Sequence, residues 1–95
     1  MKKSQVNKCE KIAAHYGRDT QEFQSISELF ELGEVLSRRP GQRGQTWKGK
    51  LLDEMADVTI MIQQLRLLYD ISDDDFDEKV TEKLNRQLER IKNRG

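Results

Sequence analysis

Two pairs of acidic residues have the spacing needed to hold a cation. Glu28-x-x-Glu31 lies in "SELFEL" and Glu54-x-x-Asp57 in "DEMAD". Residues three apart on a helix are neighbours on one face. On a helix through "DEMADVTIMIQQLRLLYD", Val58, Met61, Leu65 and Leu68 share a face, with Leu51, Met55, Ile62 and Tyr69 beside them. Glu54 falls in the middle of that face and Asp57 at its edge. Burying an unpaired carboxylate is costly, so the pair needs something to neutralise it. If the two helices pack side by side, four carboxylates converge, and four such anions do not all stay ionised without a cation. Oxygen-only ligands of this kind suit Mg²⁺ or Mn²⁺ rather than zinc.

The second helix supports this less strongly than the third. Glu28 and Glu31 flank an apolar arc instead of lying inside it, and such a pair alone is more often a solvated face. For Glu54 the plain alternative is a structural ion pair with a Lys or Arg.

The elements that must position these residues are helices. Apolar residues step by three and four over residues 4–16 (Val6, Cys9, Ala13, Tyr16), with Gly17 as a stop. A second helix is predicted over 20–37, with Asp19 and Glu22 spaced as a capping box and an arc of Phe23, Ile26, Leu29, Phe30, Leu32, Gly33 and Leu36. "SRRPGQRGQ" breaks the pattern. A third helix over 47–69 is apolar around much of its circumference, which places it at the bundle centre. Ser72 and Asp75 cap a fourth over 73–92, expected to bury Phe76, Val80, Leu84, Leu88 and Ile91. No strand is predicted. The short connections predict one domain, residues 1–95, folded as a compact all-α four-helix bundle with consecutive helices antiparallel.

Composition narrows the function classes. Seventeen basic and seventeen acidic residues cancel, which argues against a dedicated nucleic-acid polymer binder. Charged residues are 36 % of the chain and hydrophobic ones 35 %, so the core is small and oligomerisation is expected to enlarge it. The single cysteine, Cys9, lies on an apolar stripe and reads as a core residue. The first residues show no long apolar run, so no signal peptide or membrane span is expected and a cytoplasmic location is. No Glu-x-x-His pair exists, which counts against a ferritin-like di-iron site. "DISDDDFDEKVT" fails as a calcium loop at Asp75, where glycine is needed, and at Thr81, where glutamate is.

The order Glu28-x-x-Glu31, 22 intervening residues, then Glu54-x-x-Asp57 resembles the metal-binding signature of the MazG-like, all-α nucleoside triphosphate pyrophosphohydrolases. "LLDEMADVTIMIQQLRLLYDIS" is similar to that family's third helix and "EKLNRQLERI" to its fourth, so the resemblance covers about residues 11–91. Ser27 departs from the double glutamate that often opens the first motif, which bears on a supporting partner or a second metal. The resemblance implies Mg²⁺-dependent hydrolysis between the α- and β-phosphates of a (deoxy)nucleoside triphosphate, giving monophosphate and pyrophosphate. It also implies an oligomer, a homodimer or homotetramer.

On that reading Glu28, Glu31, Glu54 and Asp57 hold the metal. Glu31 is taken as general base, with Glu28 and Glu54 as alternatives. The leaving pyrophosphate needs positive charge. Lys79, Lys83, Arg86 and Arg90 step along one edge of the fourth helix, and Arg86 suits a bidentate contact. The alternative is solvated charge, with Glu82 placed to pair with Arg86, and it is favoured for Arg90. Arg38, Arg39, Arg43 and Lys48 are further candidates. Trp47 either stacks on a nucleobase or simply packs at a helix entry, and packing is favoured. The competing functional reading is a non-catalytic helical interaction module retaining the fold.

Overall fold

The computed structural model describes residues 1–94, which form three α-helices: α1 (Lys3–Ser37), α2 (Trp47–Leu68) and α3 (Asp73–Arg94). A single 3₁₀ turn, Pro40–Gln42, lies between α1 and α2, where proline presets the first helical position. The chain is all-helical, as the periodicity predicts. The two helices expected before Pro40 form one helical run with a sharp break. At Gly17 the backbone takes φ 81° and ψ 176°, a region open essentially to glycine alone. The expected stop is a kink.

α1 and α2 pack antiparallel. At one end the Trp47 indole N–H donates to the Val35 carbonyl at 2.8 Å, satisfying an acceptor in the last turn of α1 that lacks a helical partner. At the other end Arg18 donates to the Leu68 carbonyl at 3.3 Å, and its guanidinium lies 4.8 Å from the Tyr69 ring centre. α2 closes with the Ile71 N–H bonded to the Arg66 carbonyl at 2.9 Å and Asp70 in the left-handed region, φ 54°. This is a Schellman-type stop, with aspartate in the place glycine usually takes. Ser72 caps α3 as expected, its hydroxyl accepting from the Asp75 N–H at 3.1 Å.

The compact bundle is not formed within one chain. The radius of gyration is 16.3 Å, against about 12 Å for a compact chain of this length. No Cα atom of α3 comes within 8 Å of one in α1 or α2 among the described residues. Phe76 is half-buried, with Arg66 4.3 Å from its ring centre, but Val80, Leu84, Leu88 and Ile91 are exposed rather than buried as predicted. α2 is likewise not central, since Leu52, Met55 and Ile62 face outward. Periodicity reports which face of a helix seeks cover and is silent on which surface provides it. Among the described residues, fully buried apolar side chains are confined to Cys9 and Ala13, so Cys9 is a core residue as expected. No described helix is long and apolar enough to cross a membrane.

Candidate metal centre

The antiparallel pairing of α1 and α2 brings the two acidic pairs face to face. One carboxylate oxygen from each of Glu28, Glu31, Glu54 and Asp57 lies within 4.8 Å of the others. Each pair spans one helical turn, so a single close approach of two helices gathers all four. Glu28 and Glu54 are half-buried and Glu31 is exposed, leaving the cluster open on one side.

Its electrostatics are those of crowded anions. Burial raises the Asp57 carboxyl above its ordinary value of 3.8, and the neighbouring Glu28 carboxylate raises it further, with Asp53 adding a smaller push. Gln24 donates to Glu28 Oε1 at 2.7 Å and fixes that carboxylate. Glu28 Oε2 and Glu54 Oε2 are buried without any donor. No lysine or arginine forms an ion pair with the four acids among the described residues. The structural ion pair considered for Glu54 is therefore not what this arrangement provides. Two unpartnered oxygens facing two further carboxylates fit a hard divalent cation, which takes oxygen ligands from several carboxylates at once.

The seam between α1 and α2 stays polar towards the Arg18 end. Gln21, Ser25 and Gln64 are buried there, and Ser25 spends its hydroxyl on the Gln21 carbonyl at 2.7 Å. Gln64 is 0 % exposed, yet neither amide atom has a partner. Sequence reading missed this trio. The signal was available, since Gln21 and Gln64 each stand seven residues from an acid of the cluster and so share its helix face. Gln24 was equally legible, four residues before Glu28.

The expected substrate contacts are placed less favourably. Trp47 is held by Val35, one turn beyond Glu31, and its ring carries the Arg43 guanidinium 3.9 Å from the centre. It is thus engaged in packing. Lys79 and Arg86 both pair with Glu82 on α3 itself, at 2.9 and 3.8 Å. Lys79, Lys83, Arg86 and Arg90 belong to a helix that stands away from α1 and α2, so one chain does not gather them with the carboxylates. Comparison with protein-family models, curated proteins and solved structures finds no match to this chain.

Proposed function

We propose that the protein is a Mg²⁺-dependent nucleotide pyrophosphohydrolase, with Mn²⁺ as a substitute, acting on (deoxy)nucleoside triphosphates. The observation that carries this reading is the convergence of Glu28, Glu31, Glu54 and Asp57, two buried oxygens among them lacking a donor. Its chemistry comes from the resemblance of these motifs, in order and spacing, to the MazG-like pyrophosphohydrolases. In this reading the chain is a MazG-like domain in which α1 and α2 supply the metal centre.

The divalent ion, when bound, neutralises phosphate charge and lowers the pKa of a water. The chain's own residues do the rest. Glu28, Glu54 and Asp57 bind from the shielded side of the cluster. Glu31, on the open side, accepts the proton of the attacking water. The water oxygen bonds to the α-phosphorus as the bond from that phosphorus to the α–β bridging oxygen breaks, and pyrophosphate leaves. Arg43, mounted on Trp47, whose indole is held one turn beyond Glu31, is a same-chain cation that could receive it. Lys79, Lys83 and Arg86 serve the site only where a second copy carries them to it.

The test is pyrophosphate release from a panel of ribo- and deoxyribonucleoside triphosphates with Mg²⁺, Mn²⁺ or EDTA, for the wild type and Glu54→Gln. Release that needs the metal and is lost in a folded variant is expected. Absence of release together with absence of metal binding would leave the helical interaction module as the standing reading.

A further inference from the structure

The seam between α1 and α2 carries a second polar group besides the carboxylates. Gln21 stands seven residues before Glu28, and Gln64 seven after Asp57. Glu28 and Asp57 meet across the antiparallel pair, so Gln21 and Gln64 oppose each other two turns further along, about 10 Å from the cluster at the rise of an α-helix. Gln21 is 3 % exposed and Gln64 0 %. A buried amide without partners is a standing cost to the fold and calls for an explanation.

The inventory of unpaired atoms is specific. Gln64 Nε2 is a donor without an acceptor, and Gln64 Oε1 and Gln21 Oε1 are acceptors without a donor among the described residues. A ligand edge with one acceptor and two donors completes that set. Among the common nucleobases guanine presents such an edge, with its 6-oxo acceptor, N1–H donor and 2-amino donor side by side. The pyrimidines offer one donor and two acceptors, which repeats the unpaired set instead of completing it. Adenine offers one of each.

The seam also has a means of opening. Residues 1–16 run along the half of α2 that bears Gln64: Met1 lines a hollow with Thr59, Ile62, Gln63 and Arg66, and Tyr16 and Gly17 line another with Leu68. The buried side chains of this stretch are Cys9 and Ala13, both small, while Ile12 and Tyr16 stay exposed. Gly17 joins the stretch to the rest of α1 through a backbone that is not helical. A segment anchored by such small side chains over an unsatisfied seam opens readily.

We propose that Gln21 and Gln64 read the base of the nucleotide, and that this base is guanine, admitted as residues 1–16 swing away about Gly17. The inference rests on the pyrophosphohydrolase reading and names its substrate. Gln64 donates from Nε2 to the 6-oxo group and accepts the N1–H at Oε1, while Gln21 Oε1 accepts from the 2-amino group. The α-phosphate lies at the carboxylates and the base points along the seam. The base satisfies amides that the protein alone leaves unpaired, the condition under which hydrogen-bond recognition is most selective.

The experiment is kcat/KM for pyrophosphate release, with Mg²⁺, from the triphosphates of guanosine, inosine, adenosine, cytidine and uridine. It compares the wild type with Gln21→Leu and Gln64→Leu, and thermal melts accompany all three. The wild type should favour guanosine by at least about tenfold over every other base. Inosine lacks the 2-amino group, so Gln21→Leu should erase the preference for guanosine over inosine. Gln64→Leu should flatten the whole panel by lowering guanosine. Neither variant should melt below the wild type, because each replaces an unpaired amide with an apolar side chain. Should leucine prevent folding, Gln21→Met and Gln64→Met take its place. A panel that favours another base, or none, overturns the inference and leaves the pyrophosphohydrolase reading standing. Variants that slow every base in the same proportion overturn it as well, since the amides are then structural. Release from no nucleotide removes that reading and this inference with it. Opening is followed through alkylation of Cys9, which the non-hydrolysable α,β-imido analogue of guanosine triphosphate should accelerate; an unchanged rate overturns the swing about Gly17.

Discussion

At the scale of single residues, the cluster is a set of acids held closer than their charges favour. Glu54→Gln removes one charge where Oε2 has no donor. The expected result is a higher melting temperature for the metal-free variant and no further rise on adding Mg²⁺, where the wild type gains stability; differential scanning calorimetry with and without EDTA reads both. The raised Asp57 carboxyl sets a pH dependence. The Asp57 pKa is raised on folding, so its contribution is fully present below the ordinary value of 3.8 and is lost as pH rises through the raised value. Without metal, the wild type should lose stability relative to Asp57→Asn as pH climbs from that region towards neutrality, and added Mg²⁺ should narrow the difference. Urea titrations of both proteins across that range test it, and a constant offset would count against the raised Asp57 pKa. These residues were legible from spacing alone, because two pairs at i,i+3 need only one helix crossing to meet. The upward shift of the Asp57 carboxyl was not legible, since it depends on burial and on a neighbour from another helix.

At the scale of elements, helix starts and stops were largely readable because their chemistry is local. Ser72 caps α3, and Trp47 opens α2 where the basic loop ends. Gly17 shows the limit: glycine announces a departure from helical dihedrals, and only the fold decides between a stop and a kink. Its conformation requires the absence of a Cβ, although the space around it is open. Gly17→Ala should therefore cost about 1–3 kcal/mol through backbone strain alone. For a domain of this size that lowers the melting temperature by roughly 4–8 °C per kcal/mol, which a thermal melt followed by circular dichroism resolves. The reversed prediction for α3, buried in expectation and exposed in the structure, has another origin. A period of 3.6 residues marks an apolar stripe, and the stripe reads the same whether its cover lies in the same chain or in another.

At the scale of the whole molecule, two fully buried apolar residues among the described residues make a small core. Most large apolar side chains are left outside, so the folded state is expected to be linked to association. The melting temperature should then rise with protein concentration in calorimetry, by mass action on the assembled form. The same geometry has a mechanical consequence for α1 and α2. They are pinned at two ends, Trp47 to Val35 and Arg18 to Leu68, while like charges push them apart in between. A rod pair loaded in this way bows at mid-span. Amide hydrogens near Glu28 and Glu54 should exchange with deuterium faster than those beside either pin, and a bound divalent ion, by drawing the two rods together, should quiet that motion where it is largest.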